Sequence, residues 1–299
     1  MQFMFGYPEL RGTEASRLDP GPVSDLAAAA EAAGFGGFAV TEHPAPSAKW
    51  LASGGHATLD PFVALGNAAA VTTQLRLLTY LTVLPYRSPM LVAKAAATVD
   101  IVSGGRFILG VGTGYLKGEF RALGVDFDER NELFDEALDV LPMHWSGEPF
   151  SYQGRHFEAR DVIARPAPPR ASIPIWIGGN SALARRRVAE RGHGWMPMIG
   201  PAELFATTRT PSVSGGDELA PMIDELQANA GERGVQIDVA VAYNDLGDAD
   251  PAADPDRHRE AFAQLAAAGV TWVVIPGSTT SRASSLDFLA GFGTTYLGS

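Results

Sequence analysis

A (β/α)8 barrel is the fold class that this sequence predicts, and three observations predict it. Strand-like and helix-like segments alternate through nearly all of the 299 residues, with no linker that would part them into separate domains. The strands include short apolar runs, FAV, FILGV, IWI and WVVI, which suit a parallel sheet covered on both faces. After the first strand comes GYPELRG, not the glycine fingerprint that a doubly wound dinucleotide-binding sheet more often carries there. The expectation is a single barrel domain over residues 1–299.

Residues 2–7 read as the first strand, and 25–33 as a helix closed by Gly34. Residues 37–41 form a short apolar strand running into Glu42-His43-Pro44. Asp60-Pro61 is a helix start, with Asp as the cap and Pro at the first helical position; that helix extends to about residue 73. The strand 76–84 follows, and Ser88-Pro89 repeats the start signal for a helix over 90–102, stopped by Ser103-Gly104-Gly105. Residues 106–111 are the next strand, opening into Gly112-Thr113-Gly114-Tyr115, and a helix over about 131–145 succeeds it. Between 146 and 174 the rhythm breaks into a short hairpin and a Pro-rich surface connection. Alternation resumes with the strand 175–177, the helix 182–191 and the short strand 195–198. Residues 200–216, rich in Pro, Thr, Ser and Gly, read as a mobile loop. Helix 218–233, strand 236–243, helix 257–268 and strand 270–275 complete eight strands.

Composition narrows the function. With 23 Lys and Arg against 34 Asp and Glu, the formal net charge is −11, which gives no general attraction to nucleic acid or anionic membrane. The absence of cysteine excludes disulfides, thiolate nucleophiles and Cys-ligated metal, and suits a soluble cytoplasmic protein. MQFMFGYPEL lacks the regions of a signal peptide, and the Ala-rich run 26–40 is too short and too broken to span a bilayer. The six histidines, at 43, 56, 144, 156, 193 and 258, show no metal-ligand spacing, and there is no GxSxG elbow. Trp176, Trp195 and Trp272 read as barrel packing.

In a barrel, chemistry sits at the C-terminal strand ends. Glu42-His43 is the one adjacent carboxylate–imidazole pair at such an end, and an imidazole exchanges protons near neutral pH. Adjacent residues of a strand face opposite ways, so both point inward only if the strand has already ended. The stretch Gly178-Gly179-Asn180-Ser181, between IWI and a helix, has two readings: a capped turn, or a phosphate site on free helix N-terminal amides. Arg185-Arg186-Arg187 reads as a solvated helix face, with Arg185 or Arg187 as possible charges for an anion.

Three blocks resemble the luciferase-like monooxygenase superfamily, most closely its F420-dependent (deazaflavin) branch: AAAAEAAGFGGFAVTEHP; LLTYLTVLPYRSPMLVAKAAATVDIVSGGRFILGVGTGYLKGEFRALGV; and PPRASIPIWIGGNSALARRRVAERGHGW. The resemblance covers roughly residues 1–200 and implies a barrel enzyme with its cofactor at the strand C-termini. It implies that Gly178, Gly179, Asn180 and Ser181 bind the cofactor phosphate through backbone N–H groups. It also implies that Thr79 and Tyr80 form a bulge, often with a non-prolyl cis peptide, against the ring, and that Gly112 and Thr113 line the same pocket. Relatives that use F420 often carry Asp-His where this chain has Glu42-His43.

The implied function is hydride transfer between F420 and a small organic substrate, with His43 handling the proton and Glu42 orienting His43 or contacting the cofactor. Arg87 and Arg185 are the cations that would meet F420's acidic tail. An FMN-dependent monooxygenase and a non-catalytic flavin-binding subunit remain as alternatives. A homodimer and an F420- or flavin-reducing partner enzyme are further expectations from the resemblance.

Overall fold

Side chains that alternate along each strand build two apolar layers. In the first strand, β1 (Gln2–Gly6), Met4 and Phe5 belong to different clusters. Met4 joins Ala39, Leu78, Ile108, Trp176, Met196, Ala240 and Val274, so that every strand of the barrel contributes to one buried interior cluster. Phe5 joins Phe38, Leu77, Leu109, Ile177, Trp195, Val241 and Ile275 in the layer between strands and helices. Continuous apolar runs follow from burial on both faces.

The computed structural model describes residues 1–11, 21–170, 172–202, 205, 208, 210–246, 250–277 and 281–298. After β1 the barrel strands are β2 (Gly37–Val40), β3 (Arg76–Thr79, continued by Thr82–Val83), β4 (Phe107–Gly112), β5 (Ile175–Gly178), β6 (Gly194–Met196), β7 (Asp238–Ala242) and β8 (Trp272–Pro276). Every neighbouring pair is parallel, and β8 pairs with β1 from Gln2↔Trp272 to Gly6↔Pro276, which closes the barrel. The predicted (β/α)8 class is the observed one. Trp176 and Trp272 fill the interior, and a side chain on Gly194 would overlap the Trp176 indole.

The outer helices are α1 (Val23–Ala32), α2 (Pro61–Val71), α3 (Pro89–Val102), α4 (Arg130–Trp145), α5 (Ala182–Arg191), α6 (Gly216–Gly231), α7 (Pro255–Ala267) and α8 (Arg282–Phe292). Asp60 caps α2 as expected, its carboxylate accepting from the N–H groups of Phe62 and Val63 at 3.0 and 3.1 Å. The expected hairpin is Phe150–Gln153 against Glu158–Val162.

The differences from expectation have local causes. The strand expected over 76–84 is interrupted: five residues on β3, from Leu78 to Thr82, lie opposite four on β4, from Ile108 to Val111. The extra residue is a bulge, and the Tyr80–Leu81 peptide within it is cis. Helix α8 was not expected; it carries no Pro start signal and is opened instead by a reciprocal Ser281–Ser284 capping box. Two short helices, Ala48–Ala52 and Lys117–Ala122, lie in the loops after β2 and β4 where sequence reasoning saw only connections. Of the loop expected to be mobile, residues 203, 204, 206, 207 and 209 lie outside the described set. Among the described residues no helix is long and apolar enough to cross a membrane.

Candidate active site

At the mouth, β2 ends at Val40 and its extended continuation sends Glu42 and His43 in different directions. The His43 N–H is pinned to Thr58 Oγ1 at 3.1 Å, and its imidazole Nδ1 lies 3.1 Å from Glu119 Oε2. A carboxylate only accepts, so the network assigns a proton to Nδ1. Glu119, 1% exposed, also accepts the Ala45 N–H at 3.1 Å and the Tyr86 hydroxyl at 3.0 Å. Burial and this carboxylate push the Tyr86 phenol up, which keeps it a donor.

Aromatic rings wall the imidazole. Trp50 stands 4.6 Å from it between ring centres, His56 at 4.8 Å and Tyr115 at 6.1 Å. His56 Nε2 in turn faces Glu9 Oε1 at 3.4 Å. Burial, followed by the charges of Glu119 and Glu9, pushes the Tyr115 phenol up to about 12. No group of three or more potential metal ligands occurs among the described residues.

Glu42 does not touch the imidazole, so the expectation that it orients His43 is corrected. Its carboxylate accepts the Val83 N–H at 2.7 Å and pairs with Arg87, which also donates to Asp60 Oδ2 at 2.8 Å. This ties the end of β2 to the segment after β3 and to the start of α2. Burial raises the Glu42 carboxyl above its ordinary value, and Arg87 offsets part of that rise.

The bulge explains four of the implied cofactor residues. Thr79 is buried, and its hydroxyl donates to Gly110 O at 2.7 Å and accepts from Gly110 N at 2.8 Å, so it is fully engaged with β4. The Tyr80 hydroxyl meets the backbone of Ala242 at the far side of the mouth, and burial pushes it up. Leu81 lies between β4 and β5: a Cβ on Gly112 would stand 2.6 Å from its Cδ1, and one on Gly178 would overlap its Cδ2. Those two glycines thus make room for Leu81. Thr113 stands half-buried in the loop beyond Gly112.

At the β5–α5 turn, Gly179 has φ +108°, a conformation that favours glycine, and the space over its Cα is open to 3.5 Å. Its N–H donates to Met196 O at 3.2 Å, and the Asn180 N–H donates to Thr210 Oγ1 at 2.8 Å. Those two amides are therefore already engaged, which corrects the expectation that they hold an anion. Ser181 caps α5 by accepting from Ala184 N at 3.1 Å. The amides left without an acceptor among the described residues are one step further on, at Ser181, Ala182 and Leu183.

The arginines are committed as well. Arg87 serves Glu42 and Asp60; Arg185 donates to Asn180 O at 2.8 Å and faces Glu225 at 3.6 Å. Arg187 is not on a solvated face: it is 4% exposed and donates to both Asp135 oxygens at 2.7 Å. Sequence reasoning missed Glu119, Trp50, His56, Tyr115 and Thr210. The carboxylate that holds His43 lies 76 residues along the chain, in a helix of six residues, and no local pattern marks it.

The profile of the luciferase-like monooxygenase family matches residues 3–262. An uncharacterised protein of Mycobacterium tuberculosis is 33% identical over 192 residues, 60% of this chain and 66% of that one. An F420-dependent glucose-6-phosphate dehydrogenase of Nakamurella multipartita is 32% identical over 231 residues, 74% of this chain and 64% of that one. The chain thus aligns with just under two thirds of these relatives' lengths. Among solved structures, a monooxygenase from Streptomyces bottropensis superposes with a TM-score of 0.77 at 20% identity, covering 100% of this chain and 99% of that one. An F420-dependent secondary alcohol dehydrogenase in complex with an F420-acetone adduct superposes at 0.74 and 18%, covering 99% of each. At these identities the likeness is one of fold.

Proposed function

Because the chain belongs to the luciferase-like monooxygenase family, we propose that it is an F420-dependent oxidoreductase acting on a small organic alcohol or carbonyl compound. The observation that carries this reading is His43, walled by Trp50 and Tyr115 at the C-terminal mouth and held through Nδ1 by the buried Glu119. The curated relative named an F420-dependent dehydrogenase favours the deazaflavin over FMN.

The residues at the mouth fit such a cofactor. Leu81 fills the gap between β4 and β5, the space over Gly179 is open, and the first amides of α5 point outward as donors for a phosphate. When bound, the deazaflavin supplies the hydride chemistry. His43 Nε2 accepts the proton of a substrate hydroxyl, or returns one to a carbonyl oxygen. Glu119 keeps the ring in the tautomer that exposes Nε2 and balances the positive charge that protonation creates. Trp50 and Tyr115 restrict water around the imidazole. Glu42 acts from behind, fixing Val83 and Arg87 beside the bulge.

A soluble homodimer served by a cofactor-reducing enzyme is part of the same proposal. The test is to titrate the purified protein with F420 and with FMN separately. Tighter binding of F420 supports the reading; tighter binding of FMN moves it to a flavin monooxygenase, and binding of neither removes it.

A further inference from the structure

We propose that Thr210, on the loop between β6 and α6, donates its hydroxyl proton to the cofactor phosphate at the start of α5. The inference rests on the cofactor reading above and adds to it a residue from another segment of the chain.

The Thr210 oxygen accepts the Asn180 N–H at 2.8 Å, so the hydroxyl proton must point away from that bond. It has no acceptor among the described residues. The same oxygen lies 3.9 Å from where a Cβ on Gly179 would be, beside the open face of the turn. Ser181 Oγ is in a like state: it accepts the Ala184 N–H at 3.1 Å, and its own proton has no described acceptor. Two hydroxyl donors thus join the outward amides of Ser181, Ala182 and Leu183.

Thr210 is also held in place. Asn180 is fully buried, and its side chain binds the loop at three points: Nδ2 donates to Met198 O at 2.9 Å and Pro211 O at 2.8 Å, and Oδ1 accepts from Met198 N at 2.9 Å. Gly200 N donates to Val213 O at 3.1 Å and closes the base of the same loop. A phosphate ester offers acceptors in several directions, and a neutral hydroxyl can serve it without the cost of burying a further charge.

The test compares ligands with and without the phosphate. Thr210→Val and Thr210→Ala are titrated with F420 and with its phosphate-free deazariboflavin fragment, and with FMN and riboflavin as a second pair. The expected result is a loss of about tenfold or more for the phosphorylated ligand in each variant, with the phosphate-free ligand unchanged and Thr210→Ser close to wild type. Unchanged affinity for the phosphorylated ligands overturns the proposal. An equal loss for both members of a pair also overturns it, because that pattern marks a purely structural role for the loop. A wild-type protein that binds neither F420 nor FMN overturns the cofactor reading and this role together. That outcome is distinct from normal wild-type binding with insensitive variants, which leaves the cofactor reading standing.

Discussion

On the β2–β4 side of the mouth, Glu119 takes three donors and fixes one imidazole among aromatic rings; on the β5–β6 side, the start of α5 leaves amides and hydroxyls aimed outward. The first region gathers its donors on one buried carboxylate and holds the imidazole by its Nδ1. Its design suits a proton moved at a fixed point, where orientation matters more than charge. The second keeps donors with no acceptor among the described residues, which on the proposed reading meet the cofactor phosphate. Its donors lie on a helix N-terminus and on a loop clamped by Asn180. Damage to the two regions should therefore appear in different measurements: turnover for the first, cofactor affinity for the second.

The largest expected effect breaks the first region at its centre. His43→Ala should lower turnover by roughly 10²–10⁴, while cofactor affinity changes little, because the outward amides belong to another strand. Steady-state kinetics beside a cofactor titration check this, and a variant that loses affinity but keeps turnover contradicts the division. Next, Gly179→Val should weaken F420 binding at least about tenfold and lower unfolding free energy by about 1–3 kcal/mol, since φ +108° strains a β-branched residue. Denaturant melts of the variant read the second number, and an undiminished melt would show that the turn relaxes.

Glu119→Ala sharpens the comparison by removing the shared acceptor of His43, Ala45 and Tyr86. The orphaned buried donors should cost about 1–3 kcal/mol of stability, and turnover should fall less than in His43→Ala. F420 affinity should stay near wild type.

The smallest effect concerns Glu42, whose carboxyl is raised by burial despite Arg87. A carboxyl raised in the folded state binds its proton more tightly there than in the unfolded chain. Its contribution to stability is therefore present below the unfolded value of 4.5 and is lost as pH rises from there through the folded value. Glu42→Gln removes that loss, so the variant should gain on the wild type in urea midpoint as pH rises over this window. A difference independent of pH would show that Glu42 titrates alike in both states.

The barrel was legible because its signals are local: alternation on each strand, Asp60-Pro61 and Ser88-Pro89 at helix starts, and glycines at helix ends. The site was legible only as far as its strand ends. His43 was found by position, but adjacency suggested Glu42 as its partner, whereas neighbours on extended backbone diverge and Glu119 reaches the ring from the loop after β4. Likewise the glycines and Asn180 mark the turn before α5, yet the Asn180 amide is occupied by Thr210, 30 residues on. Thr79 was expected in the bulge against the cofactor ring, and its side chain bonds both backbone groups of Gly110 there, a pairing 31 residues apart that no local pattern marks. Pairings of this kind are fixed by tertiary packing, and neither period nor capping encodes them.

The central claim is that the protein moves hydride through a deazaflavin and needs no dioxygen. The direct measurement is anaerobic reoxidation of reduced F420 by the wild-type protein across a panel of small ketones and aldehydes, run beside reduced FMN with dioxygen. The account predicts carbonyl-dependent reoxidation of reduced F420 without dioxygen, abolished by His43→Ala. Substrate conversion seen only with reduced FMN and dioxygen would contradict it.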